Sequence, residues 1–92
     1  MKAYSSSEIV QALKKISDWK LVDQTIQKNY QFKDFSQALS FIVRVGIAAE
    51  KQNHHPQISN TYNKVTLSLN THDANGITEK DFKLASDIDK LE

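Results

Sequence analysis

Glu50-Lys51-Gln52-Asn53-His54-His55-Pro56 is the stretch where the chain has to change from helix to strand. Proline bars its predecessor from the helical region, so a helix arriving from upstream stops by His54 and the next segment leaves extended. Working back, Asp34 has the form of an N-cap with Gln37 three residues on, and the helical pattern runs from there to about Asn53. Phe35, Leu39, Ile42, Val45, Gly46 and Ala49 make one stripe, which Phe41, Val43, Ile47 and Ala48 widen past half of the wheel. Only Gln37, Ser40, Arg44 and Lys51 form a polar strip. A helix this apolar covers a sheet with one side and needs a second cover, either another subunit or a small first helix.

Upstream, Ser5-x-x-Glu8 is a capping box and starts a short helix whose stripe is Ile9, Leu13 and Ile16, ending near Ser17-Asp18. Trp19 and Leu21, then Ile26, Tyr30 and Phe32, suit two strands joined by a glycine-free turn at Asp23-Gln24. In the second strand Ile26, Lys28, Tyr30 and Phe32 share one parity and Gln27, Asn29 and Gln31 the other, which predicts one dry and one wet face.

Downstream, Gln57 to Tyr62 is a strand of weak propensity, and Lys64 to Thr71 a strong one alternating through Val65, Leu67 and Leu69. A turn at Asn60 to Asn63 joins them. Asp73-Ala74-Asn75-Gly76 is a turn, with Asn-Gly suited to positive φ. Thr78 then caps a third helix with Asp81 at its third position, Ile77 and Phe82 as a staple, and Leu84, Ile88 and Leu91 as the stripe. The order αββαββα predicts an α+β, two-layer sandwich: a four-stranded antiparallel sheet with three helices on one face.

All 92 residues are expected to form a single domain with one modest core. Twelve Lys and Arg against eleven Asp and Glu leave a formal charge of +1, which gives no pull towards nucleic acid or anionic membrane. Without cysteine, disulfides, thiolate nucleophiles and Cys-based zinc sites are excluded. No apolar run suits a signal peptide or a membrane span, so the expected location is cytoplasmic.

Three histidines, two of them adjacent, lie at element ends where side chains converge: His54 and His55 after the long helix, His72 after the strong strand, on the parity opposite to Val65, Leu67 and Leu69. Imidazole titrates near neutral pH, so such a group suits acid/base work. Glu50 stands four residues before His54, the spacing of an ordinary helical ion pair and also of a carboxylate that orients an imidazole. Asp81 is explained by the third position of a capping box alone, and Trp19 by the core. A zinc site from Glu50, His54, His55 and His72 is a competing reading, weakened because adjacent histidines diverge and Pro56 hinders joint chelation.

The run Glu-x3-His-His-Pro-x5-Tyr-x9-His-x8-Asp, carried by Glu50, His54, His55, Pro56, Tyr62, His72 and Asp81, resembles the signature of the pterin-4a-carbinolamine dehydratase family. Phe32-Lys33-Asp34-Phe35, Tyr62-Asn63-Lys64-Val65, Thr71-His72-Asp73, Gly76-Ile77-Thr78 and Leu84-Ala85 extend it over about residues 19 to 86. The resemblance implies the αββαββα fold and a hydro-lyase that dehydrates 4a-hydroxytetrahydrobiopterin to quinonoid dihydrobiopterin. It thus implies recycling of the cofactor of aromatic amino acid hydroxylases, without a cofactor or metal of its own. It also implies homodimers or homotetramers in which sheets join and the second helices bundle. His54 and His72 would be the acid/base pair, with His55 catalytic mainly by holding substrate. Glu50 would orient His54, Asp81 would hydrogen-bond or polarise a histidine at the rim, and Pro56, Tyr62 and Thr71 would line the pterin. The rival it raises is a non-catalytic dimerisation cofactor for a transcription factor on the same helix surface.

Overall fold

The computed structural model describes residues 2–91. Among these, α1 (Ser6–Leu13), β1 (Lys20–Val22), β2 (Thr25–Gln31), α2 (Phe35–Gln52), β3 (Gln57–Thr61), β4 (Lys64–Leu69) and α3 (Glu79–Asp89) follow one another, with one 3-10 turn at His72–Ala74 before α3. The strands form one antiparallel sheet in the order β1-β2-β4-β3. This is the α+β arrangement that the sequence predicts.

The register explains the layers. Ile26 stands opposite Leu69, Lys28 opposite Leu67 and Tyr30 opposite Val65, so the apolar parity of β2 meets that of β4. These residues are buried with Phe41, Val45 and Ala49 of α2 and Leu84, Ala85 and Ile88 of α3, and α1 contributes the buried Ile9. The other sheet face carries Gln27, Asn29, Gln31, Thr66 and Ser68, all of them exposed or half-buried.

Local chemistry sets the ends of the elements. The capping box of α1 is formed, with the Ser5 hydroxyl accepting from Glu8 N–H and the Glu8 carboxylate accepting from Ser5 N–H. That backbone donor holds the Glu8 carboxyl below the usual carboxylate range. In the β1–β2 turn, which has no glycine, Asp23 takes the left-handed conformation at φ 54°. In the Asn75-Gly76 pair the left-handed residue is Asn75, also at φ 54°. Gly76 is needed for another reason: a Cβ there would lie 3.1 Å from that of Ala3, where the N-terminal segment crosses and Tyr4 N–H donates to Ile77 carbonyl. Strand β4 ends at Leu69, two residues short of the expected Thr71, and Thr71 makes only an isolated bridge to Gly76.

Lys28, on the dry parity, is buried rather than solvent-facing. Its ammonium lies 3.1 Å from Asp89 at the end of α3, and the same carboxylate accepts from Trp19 Nε1–H and Ser17 N–H, each at 2.9 Å. The lysine stem thereby covers apolar surface while its charge is met by a fixed anion. Replacing Asp89 by Ala removes one partner of a buried cation and the acceptor of two N–H donors, with an expected loss of about 3 kcal/mol in urea unfolding. Lys83→Ala, which touches only an exposed i,i+4 pair with Asp87, should cost less than about 0.5 kcal/mol in the same assay.

Candidate functional site

Helix α2 ends in a left-handed residue, Asn53 at φ 50° and ψ 41°, and His54 N–H reaches back to the carbonyl of Ala49 at 3.2 Å. Asparagine tolerates this conformation, and the back-bond closes the helix and fixes the next residue. His54 is therefore off the helix and turned inward. Its Nε2 lies 2.6 Å from Oδ1 of Asp81, with the His54 side chain 11% exposed and that of Asp81 0% exposed.

Three elements meet at that carboxylate. Its Oδ2 accepts from Thr78 N–H and from the Thr71 hydroxyl, each at 2.9 Å, and the Thr71 and Thr78 hydroxyls are 2.7 Å apart. The Thr78 hydroxyl also accepts from Lys80 N–H, which caps α3. The end of α2, the end of β4 and the start of α3 are thus joined through one buried anion.

His72 follows Thr71 directly and opens the 3-10 turn. Its imidazole is exposed, and among the described residues no hydrogen bond or ion pair holds it. His55 points outward and pairs with Glu50, Nε2 to Oε1 2.7 Å, with Glu50 80% exposed. His54 is thus part of the Asp81 cluster, while His55 and His72 are exposed and follow its members His54 and Thr71 directly in the chain.

Some placements differ from expectation. Glu50 contacts His55 rather than His54, because the left-handed Asn53 ends the helix before His54 and cancels the i,i+4 relation. Asp81 is enclosed, and it hydrogen-bonds His54. Thr71 is buried and its hydroxyl is committed to Asp81. Pro56 is half-buried and leads into β3. Tyr62 sits in the β3–β4 turn at φ 51°, 62% exposed, at the far end of β4 from Thr71, on the order of 20 Å away. Within one chain it is apart from the histidines. Trp19 is core, held by Asp89. Among the described residues no three His, Asp or Glu side chains converge as metal ligands.

Two grooves lie elsewhere. One of about 490 Å³ between α2 and α3 is lined by Arg44, Ile47, Lys51, Lys83 and Leu91, and one of about 560 Å³ between α1 and α3 by Tyr4, Gln11, Ile16 and Phe82. Neither contains a histidine. The part that Thr78 plays in the Asp81 cluster is absent from the sequence reading, although the capping spacing Thr78-x-x-Asp81 was its visible trace.

The family model "Pterin 4 alpha carbinolamine dehydratase" matches residues 2–91. A Herpetosiphon aurantiacus protein named "Putative pterin-4-alpha-carbinolamine dehydratase" is 47% identical over 91 residues, covering 99% of this chain and 95% of that protein. One of the same name from Solibacter usitatus is 46% identical over 87 residues, covering 95% and 92%. The crystal structure of a transcriptional coactivator/pterin dehydratase from Brucella melitensis superposes with a TM-score of 0.93 at 38% identity, covering 98% of each chain. A pterin dehydratase-like protein described as a RuBisCO assembly factor in the alpha-carboxysome shares the fold, with TM-score 0.64 and 20% identity over 79% of this chain and 84% of that one.

The two histidine–carboxylate pairs are expected to differ sharply in energy. Asp81→Ala strands buried donors on Thr71, Thr78 and His54 and should cost about 3 kcal/mol. Glu50→Ala removes an exposed pair and should stay within about 0.5 kcal/mol in urea unfolding.

Proposed function

The chain belongs to the pterin 4 alpha carbinolamine dehydratase family, and on that premise we propose that it dehydrates 4a-hydroxytetrahydrobiopterin by histidine acid/base catalysis. The observation that supports this most is the buried Asp81 carboxylate, 2.6 Å from His54 and 2.9 Å from the hydroxyl of Thr71, the residue before the exposed His72. Loss of water needs a proton delivered to the 4a-hydroxyl as its C–O bond breaks, and a proton removed from a ring nitrogen as a C=N bond forms. The two transfers balance, giving quinonoid dihydrobiopterin plus water. His54 and His72 take these two roles, and His55, steadied by Glu50, helps hold the pterin from the exposed side. Pro56 shapes that side; Thr71 acts on the site through Asp81. Neither a metal nor a redox cofactor enters the balance. The reaction would serve aromatic amino acid hydroxylases by restoring their pterin, within the cytoplasm, and residues 1–92 would act as one domain.

Freshly generated 4a-hydroxytetrahydropterin, followed by ultraviolet absorbance, should lose water faster with the protein than without it. His54→Ala and His72→Ala should each slow the reaction at least about tenfold. A wild-type rate equal to the blank would remove the assignment.

Helix α2 supports a second, compatible proposal. Phe35, Leu39, Val43 and Ile47 recur at four-residue spacing and are all exposed, opposite the buried Ala38, Phe41, Val45 and Ala49. Self-association through this stripe, and through the open edge of β3, would give a homodimer or homotetramer. The same stripe is what a dimerisation cofactor or transcriptional coactivator would use. Leu39→Glu with Val43→Glu should lower the sedimentation coefficient to that of a monomer; a wild type already monomeric at micromolar concentration would sink self-association.

A further inference from the structure

We propose that the Thr71–Thr78 hydroxyl pair fixes the tautomer of His54, leaving Nδ1 as the nitrogen that exchanges a proton with substrate. The inference rests on the acid/base role of His54 given above and adds two positioning residues and a choice of ring nitrogen.

The cluster can be wired in only one direction. Thr78 N–H is a donor and nothing else, so Asp81 Oδ2 is an acceptor at that contact. The Thr71 hydroxyl, 2.9 Å from the same oxygen, must also donate to it. Thr71 has a single proton, now committed, so at the 2.7 Å contact between the hydroxyls the proton belongs to Thr78. Thr78 can give it, because Lys80 N–H takes up only a lone pair of its hydroxyl and leaves the proton uncommitted. The chain of donation runs from Lys80 N–H through Thr78 and Thr71 to Asp81.

Two donors on Oδ2 turn the remaining acceptor capacity of Asp81 towards His54, through Oδ1 at 2.6 Å. Carboxylic acids are in general stronger acids than imidazolium, so the shared proton belongs to His54 Nε2. In the neutral ring Nδ1 then has no proton and presents its lone pair. Among the described residues no protein group hydrogen-bonds to Nδ1. Without the Thr71 hydroxyl, Oδ2 would lose a donor inside a site that is sealed from water, and the carboxylate would be free to rotate.

The test is the imidazole nitrogen spectrum of ¹⁵N-labelled protein, with His54 assigned by the loss of its signals in His54→Gln. In wild type the neutral ring of His54 should be the Nε2–H tautomer. In Thr71→Val the two tautomers should mix, and kcat should fall about tenfold with KM unchanged. Thr71→Ser, which restores the hydroxyl, should return both to within about twofold of wild type. A wild type in the Nδ1–H form overturns the proposal, as does a Thr71→Val protein with the wild-type tautomer or an undiminished kcat. Should Thr71→Val not fold, the Thr78 hydroxyl proton in wild type decides: it should exchange slowly, and exchange at the rate of an exposed hydroxyl overturns the relay. The spectra need no turnover. An inactive wild type holding the Nε2–H tautomer would sink the dehydratase assignment while leaving the wiring in place.

Discussion

The architecture around the histidines depends on one buried anion. A carboxylate removed from water costs several kcal/mol unless its lone pairs are met, and Asp81, fully enclosed, is met by donors from three elements. His54 comes from the end of α2, Thr71 from beyond β4 and Thr78 from the cap of α3. None of the three can leave without stranding the charge. The same bonds that make the junction rigid also set how His54 is presented, so stability and site geometry are one problem here.

Helix α3 carries a second such anchor. Asp81 and Asp89 lie eight residues apart, about 12 Å along a helix, and each gathers donors from distant segments. Between them Leu84, Ala85 and Ile88 supply the apolar contact with the sheet and α2. Apolar packing alone would tolerate sliding by a turn, since one aliphatic surface resembles the next; two polar anchors of fixed geometry do not. Helix α2, by contrast, is held by Ala38, Phe41, Val45 and Ala49 and leaves its opposite side apolar and open.

Most of this fold was legible in the sequence because its signals are local. Capping boxes at Ser5 and Thr78, alternation in β2 and β4 and the proline after His55 each act within a few residues, and each element they predict is present. The residues of the candidate site stood out in the sequence, but which of them pair did not. Glu50 has helical spacing to His54, yet one left-handed asparagine redirects it to His55. The parity of Lys28 was visible, but the Asp89 that it pairs with lies 61 residues away, beyond any local pattern. Asp81 looked sufficient as a helix cap, and it is one; the bonds from His54 and Thr71 join segments whose meeting only the tertiary structure reveals.

The bonds at Asp89 have a consequence for how the chain reaches this state. Ser17 N–H and Trp19 Nε1–H close loops of 72 and 70 residues when they meet that carboxylate, and Tyr4 reaches Ile77 across a similar span. The β3–β4 hairpin and the short β1–β2 turn require only nearby residues, so they precede such closures in entropic cost. Synthesis from the N-terminus makes Ser17 and Trp19 wait for α3 before their bonds to Asp89 can form. Trp19, the one tryptophan in the sequence, becomes enclosed at this joining of the two ends. Its fluorescence is therefore a natural clock for the last large-scale step of folding rather than for the local turns that come before it.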